Sequence, residues 1–336
     1  MKKNIIITGI TGQDGAYLAK YLLNKDYKVY GILRRNSNDP FSRLDYLRIR
    51  KYVDFISLDI NEYKQIDLII RKIKPKFFYN LAAQSFVGYS FDNPTYTDTI
   101  NNTAVINILE SIRLSCPKTK FYQASTSEMY GDIKFLKIKK LNENSKFNPV
   151  SPYAISKLSA YYYTRLYRYA YKLFCCNGIL FNHESPLRGE QFVTKKIVKG
   201  LIRFKNEGKV LYLGNLYSRR DWGNAEDYVK MMYKIMQFNK PDDFVIATGK
   251  NYTIKQFVNM VCDKLELKIK WKGKRENEKA FDHKNKLVIK IKKSLLRPHD
   301  VNSLLGDASK AKRLLGWKPK GINSLVDDMV KHELSL

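Results

Sequence analysis

The sequence predicts a doubly wound α/β fold, a mainly parallel sheet of about seven strands with a smaller α/β unit interleaved into it. Three observations predict it. A glycine-rich turn, Gly9-Ile10-Thr11-Gly12-Gln13-Asp14-Gly15, stands between an apolar strand-like run and a helical pattern near the first residue. Strand and helix patterns then alternate through the first half, as parallel strands joined by right-handed crossover helices require. After Leu180 the alternation breaks into loops containing Gly, Pro and Asn with short mixed elements, and it returns to the sheet pattern only at Phe244.

The first strand is expected at residues 4–8. The turn after it spaces its glycines G-x-x-G-x-x-G, unlike the commoner G-x-G-x-x-G. Such a turn lets backbone N–H groups approach a pyrophosphate, whose charge then sits at the positive end of the helix predicted over 14–25. It points to a bound dinucleotide. The second strand, 28–33, ends in Arg34-Arg35, where an NAD-preferring chain carries Asp or Glu. Arginine there favours a 2′-phosphate, so NADP is expected. Short apolar runs at 54–57, 77–80, 120–124, 174–180 and 244–247 supply the remaining strands, with helices over 63–72, 96–115 and 152–171. The dinucleotide-binding domain should comprise 1–180 plus about 241–262, and a substrate-binding domain about 181–240 and 263–336.

At 336 residues with 44% hydrophobic content the chain can bury a substantial core. Its 61 Lys and Arg against 32 Asp and Glu give a net charge of +29. The charge is spread over nearly every segment with no arginine-rich tail, so nucleic acid is not the expected partner. Four cysteines, two of them adjacent at Cys175-Cys176, offer neither a CxxC pair nor a disulfide framework. No apolar run is long enough to span a bilayer, and no metal cluster is expected. Met-Lys-Lys leads directly into the first strand, where a cleaved leader would remove an element of the fold, so a cytoplasmic location is expected.

The chemistry-bearing residues follow the fifth strand. Ser125-Thr126-Ser127-Glu128 stands at its end, and Tyr153-x-x-x-Lys157 opens a helix about 28 residues after Ser125. Residues four apart share a helix face, so the ammonium can favour the phenolate and also reach a nicotinamide ribose. A tyrosine brought toward neutrality can take a proton from a sugar hydroxyl as hydride leaves the same carbon.

With these residues the chain resembles the extended short-chain dehydrogenase/reductase superfamily and, within it, the GDP-mannose 4,6-dehydratase family. The carrying segments are TGITGQDGAYLA (8–19), GILRRNS (31–37), LAAQSFVGYSFDNPTYT (81–97), STSEMYG (125–131), SPYAISK (151–157), CNGILFNHESPLRG (176–189), LYLGNLYSRRDWGNAEDYV (211–229) and FVIATG (244–249), with a weaker tail at 297–319. NHESP and RRDWG are far more specific than Tyr-x-x-x-Lys.

The resemblance implies that Tyr153 deprotonates O4 of a hexose, Lys157 supports it, Thr126 polarises O4 or the new carbonyl, and Glu128 performs acid–base work at C5 and C6. Elimination needs that extra carboxylate, which separates a dehydratase from a plain reductase or epimerase. Cofactor contacts implied in the same way are Gly9, Thr11, Gly12, Gln13, Asp14 and Gly15 at the phosphate turn, with Arg34 at the 2′-phosphate. Asp59 and Ile60 would flank the adenine, and Leu81, Ala83 and Ser85 the middle of the cofactor; Lys157, Tyr96, His183 and Arg188 complete the set. Ser85, Asn182, Val193, Lys196, Arg220 and Arg297 would contact a GDP-sugar, arginines suiting its diphosphate or guanine edge.

Three departures surround the ligand: Phe86 stands where the family usually has His, Leu187 where it has a second Arg, and His299-Asp300 where it has Thr-Glu. The stretch between Gly131 and Ser151 is also longer and more basic than usual. A dehydratase for a GDP-heptose would show the same core residues. A non-catalytic NADP-binding or nucleic-acid-binding member of the superfamily would show a damaged Tyr/Lys/Glu set, which this chain does not. The Tyr153 helix carries Leu158, Tyr161, Tyr162, Leu166 and Tyr169 on more than one face, as if packed on the sheet and on a second copy. The resemblance implies a homodimer or homotetramer with Arg35 near a neighbour's cofactor.

Overall fold

The computed structural model describes residues 2–35, 37–296 and 301–336. Its centre is a seven-stranded sheet built from β1 (Asn4–Thr8), β2 (Lys28–Leu33), β3 (Val53–Ser57), β4 (Phe77–Asn80), β5 (Lys120–Thr126), β6 (Cys175–Leu180) and an edge strand, Asp243–Ile246. Their order is Asp243–Ile246, β6, β5, β4, β1, β2, β3, and every neighbouring pair is parallel. Strand order reverses between β1 and β4, which opens a crevice at the strands' carboxyl ends, where such sheets take their ligands.

Burial on both faces explains why the strands are short continuous apolar runs. Every residue of β4 and of β6 is buried. Ile6, Phe78, Phe121 and Cys175 point to the face covered by helices Tyr63–Ile73, Ala104–Ser115 and Pro152–Ala170. Their neighbours Ile5, Phe77, Tyr122 and Cys176 point to the opposite face, covered by Gln13–Leu23 and Ala225–Gln237.

The helix expected over 96–115 is interrupted. Pro94–Asp98 passes through a π turn at Thr99–Thr103 before Ala104–Ser115. The turn presents Asn101, which accepts from the Gln84 N–H at 2.9 Å and donates to the Gln84 carbonyl at 3.0 Å. It thereby pins the loop that leaves β4. Single π turns of this kind commonly mark functional positions.

A second hydrophobic core lies outside the large sheet. Leu211–Leu213, Ile269–Lys272, Lys279–Asp282 and Leu287–Ile291 form a four-stranded sheet packed with helices Val193–Glu207, Ile254–Lys264 and Ile322–Leu334. Two short pairings join the units: Asn182–Glu184 runs parallel to Trp222–Asn224, and Arg219–Arg220 runs antiparallel to Tyr252–Thr253. No helix among the described residues is long and apolar enough to cross a membrane.

Candidate active site

A cavity of about 890 Å³ occupies the crevice. At its floor Gly9 has φ +68°, and a Cβ there would lie 2.8 Å from the Ala82 nitrogen. Only glycine fits that approach. A Cβ on Gly15 would lie 2.3 Å from the Gly9 carbonyl oxygen, so the helix start packs directly on the turn. Helix Gln13–Leu23 has Gly12 at its N-cap with no side-chain cap. Its first-turn N–H groups are therefore left to a ligand on the cavity side.

The side chains of this turn reach the loop after β6. Gln13 donates to the His183 carbonyl at 3.2 Å and accepts from Ser185 Oγ at 2.7 Å. His183 Nε2 lies 2.6 Å from Asp14 Oδ2, and its Nδ1 lies 2.7 Å from the Phe181 carbonyl, to which it donates. Burial alone would lower the imidazole's pKa; the charge and hydrogen bond of Asp14 outweigh it and raise the value above 6.5. Burial likewise pushes Asp14 up, and His183 overcomes it to leave the carboxyl below its ordinary value.

Thr126 ends β5 and N-caps the turn Ser127–Tyr130, its hydroxyl accepting from the Glu128 N–H at 3.2 Å. Ser151 caps the next long helix by accepting from Ala154 N–H at 3.1 Å, and Pro152 suits the first helical position. Tyr153 and Lys157 thus sit one turn apart on the inward face. Thr126, Glu128, Tyr153 and Lys157 are all buried and all line the cavity.

Their electrostatics differ from the expectation of a pre-formed phenolate. Burial pushes the Tyr153 phenol up to about 12, with Thr126 lowering it in part and the Glu128 charge adding to the rise. Lys157, brought down to about 8 by burial, donates to the Ala124 carbonyl at 3.0 Å. Spacing puts the two on one face; desolvation keeps the phenol protonated in the protein alone.

Opposite stands Arg220, whose Nε lies 3.9 Å from Glu128 Oε1 and whose Nη1 donates to the Val301 carbonyl at 2.7 Å. Asn182 Oδ1 is buried with no hydrogen-bond partner among the described residues. Arg188 pairs with Glu184 at 3.0 Å and lies 3.5 Å above the Phe192 ring. Lys196 is lowered by burial and by Lys292.

The cavity brings together Gly9, Thr11, Gly12, Gln13, Asp14, Gly15, Leu81, Ala83, Ser85, Thr126, Glu128, Tyr153, Lys157, Asn182, His183, Arg188, Val193, Lys196 and Arg220. Four of the expected residues, Arg34, Asp59, Ile60 and Tyr96, are not in its wall. Arg34 donates to the Tyr96 hydroxyl at 2.6 Å, Asp59 accepts from Asn61, and Ile60 belongs to the core. Arg297 lies outside the described residues. The wall also includes Phe86, Gln191, Phe192, Asn215, Ser218 and Trp222, which the sequence did not single out as contacts. Phe86, Asn215, Ser218 and Trp222 fall within segments already distinctive by their motifs, whereas Gln191 and Phe192 carry no local signal. Among the described residues no cluster could hold a metal ion.

The doubly wound sheet, the glycine turn, the Thr126 strand end and the Tyr153/Lys157 helix define a protein of the extended short-chain dehydrogenase/reductase class. Solved structures share the fold: UDP-glucose 4-epimerase of Thermotoga maritima gives a TM-score of 0.83 at 22% identity, covering 99% of both chains. The dTDP-glucose 4,6-dehydratase of Bacillus anthracis, solved with NAD, gives 0.81 at 20% identity, covering 99% of this chain and 97% of that one. The sequence model of the GDP-mannose 4,6 dehydratase family matches residues 6–329. A GDP-mannose 4,6-dehydratase of Vibrio cholerae is 42% identical, covering all of this chain and 95% of the relative. Another, from Arabidopsis thaliana, is also 42% identical, covering all of this chain and 91% of the relative. The chain belongs to the GDP-mannose 4,6-dehydratase family.

Proposed function

We propose that this protein converts GDP-mannose to GDP-4-keto-6-deoxymannose with loss of water, using a bound nicotinamide cofactor, NADP in preference to NAD. The observation that carries the proposal is the burial of Thr126, Glu128, Tyr153 and Lys157 on one cavity that also contains the glycine turn. The turn fits a dinucleotide: the absence of a Cβ at Gly9 lets it pack on the Leu81-Ala82 backbone at the cavity wall, and the following helix has no side-chain cap. The Arg34-Arg35 pair supports the 2′-phosphate form. Lys196 and Arg220 supply cations for the diphosphate, and the Asn182 oxygen, without a hydrogen-bond partner among the described residues, suits a sugar hydroxyl.

The glycine turn, Ser85 and Lys157 would hold the nicotinamide cofactor, which would supply a hydride acceptor for C4 and a hydride donor for C6. Tyr153 receives the O4 proton, with Thr126 beside its hydroxyl to hold the same oxygen. Because burial holds the phenol near 12, Tyr153 must first give up its own proton to solvent, and the Lys157 ammonium stabilises the phenolate that then accepts from O4. The C4 ketone acidifies the C5 proton. Glu128 removes that proton and protonates the C6 hydroxyl, which leaves as water. Reduction at C6 takes up one proton at C5, balanced by the one Tyr153 received from O4, so water is the only net loss. The second lobe, the four-stranded sheet with helices Val193–Glu207, Ile254–Lys264 and Ile322–Leu334, is the part we assign to the GDP-sugar.

Incubation with GDP-mannose tests the proposal: mass spectrometry should show a product lighter by one water, and unchanged substrate with the cofactor-loaded protein would refute it. Phe86 in the wall, where the family usually has His, favours one second reading, a GDP-heptose as substrate. The ratio of kcat/KM on the two sugars decides between them.

A further inference from the structure

Asp221 touches none of the residues assigned to the chemistry and does not line the cavity, yet it is completely buried beside Arg220. Its carboxylate collects four hydrogen bonds. Oδ1 accepts from Thr248 N–H at 2.8 Å and from Thr248 Oγ1 at 2.5 Å; Oδ2 accepts from Gly249 N–H at 2.9 Å and Gly306 N–H at 3.3 Å. No salt bridge to it occurs among the described residues. Burying a carboxylate on neutral donors alone is costly and calls for a reason.

The reason lies in what these donors belong to. Thr248-Gly249 leaves the edge strand of the large sheet, and Gly306 belongs to the 301–306 segment. That segment also holds the Arg220 strand: Val301 O accepts from Arg220 Nη1, Asn302 O accepts from Arg219 N–H at 2.7 Å, and Leu304 N–H donates to Arg219 O at 3.2 Å. Three stretches distant in sequence therefore converge on one carboxylate. Arg220 emerges from this knot with its Nε 3.9 Å from Glu128 Oε1, while the Glu128 turn is fixed independently by Thr126.

We propose that Asp221 is a positioning residue: by tying the Arg219–Arg220 strand to the edge-strand exit and to Gly306, it holds Arg220 against Glu128, so that elimination across C5 and C6 depends on it while oxidation at C4 does not. This rests on the dehydratase function proposed above. A 1 Å displacement of a group facing the reacting atoms can cost about a hundredfold in rate, even from a remote change.

Asp221→Asn tests it, because an amide turns an N–H₂ group toward donors that need an acceptor. Thr248→Val, which removes one donor of the four, is the milder companion should the first variant fold poorly. Native protein and variants are loaded with NADP and mixed with saturating GDP-mannose, so that any loosening of the Arg220 contact to the diphosphate drops out of both rates. Two rates are followed: reduction of the bound cofactor by absorbance, and loss of water by mass spectrometry. Asp221→Asn should slow water loss about 30- to 100-fold with cofactor reduction within about threefold of native, so that reduced cofactor accumulates; Thr248→Val should show the same imbalance at about a tenth of that size. Equal slowing of both rates, or no slowing in either variant, overturns the inference. Absence of turnover in the native protein instead strikes the dehydratase proposal itself.

Discussion

Glu128 and Lys157 are both buried in the cavity wall, and substitution should separate their roles. Glu128→Gln keeps the shape of the side chain and removes the base, so dehydration should fall by at least about 10³-fold while NADP stays bound. Parallel loss of cofactor during gel filtration would contradict the assignment. Lys157 makes a second prediction through its lowered pKa. The folded protein holds this proton only to about pH 8, the unfolded chain to about 10.5, so the unfolded state binds more protons between those values. Stability attributable to this residue therefore rises with pH across that window, while cofactor reduction, which uses the ammonium, falls above about pH 8. Lys157→Met should abolish cofactor reduction and flatten the pH 8–10.5 rise in Tm. Glu128 and Tyr153 could be picked out in the sequence because their neighbours form motifs. The phenol's rise to about 12 could not, because it depends on burial that only the folded cavity creates.

The Tyr153 helix is an element held at both ends. Ser151 fixes its start, and near its other end Asp243 of the edge strand accepts from Arg168, from Arg165 Nη1 at 3.2 Å and from Tyr161 Oη at 3.2 Å, as well as from Asn177 Nδ2 at 2.9 Å in β6. Arg168 and Asp243 are both nearly inaccessible, so removing one charge strands the other; such a loss costs about 3–5 kcal/mol. Asp243→Asn should lower Tm by on the order of 10 °C at 2–4 °C per kcal/mol, with bound NADP still detectable well below the transition. An unchanged Tm would show that the clamp contributes nothing. The sheet strands and this helix were legible because continuous apolar runs and a capped helical pattern each have one interpretation. The four-stranded sheet was not. Ile269–Lys272 alternates half-buried and exposed residues, with Lys270 and Lys272 on the exposed side, which the chain's general lysine content masks. The π turn escaped too, since the contact it serves, Asn101 on the Gln84 backbone, lies outside its own segment.

At the scale of the whole molecule, the site is closed by contacts that join the first residues of the chain to its middle. His183 meets Asp14 across 169 residues, and that pairing was invisible in a sequence where each residue simply belonged to its own motif. Assembly is the other property at this scale, and it rests on a surface. Ile155, Tyr162, Leu166 and Tyr169 lie on one stripe of the Tyr153 helix by their spacing and are 55%, 54%, 51% and 57% exposed, whereas Tyr161 on the adjacent face is buried in the core. Four bulky apolar or aromatic residues exposed along one helix would be unusual if they faced only water. A second copy presenting the same stripe across a two-fold axis satisfies both helices at once. A homodimer, or a tetramer built from such dimers, is therefore expected by light scattering at micromolar concentration. Replacing Tyr162 and Leu166 together by lysine places like charges face to face across that axis and should give a monomer whose isolated fold persists by circular dichroism. A native protein that scatters as a monomer, or a double variant that still associates, would remove this stripe as the interface.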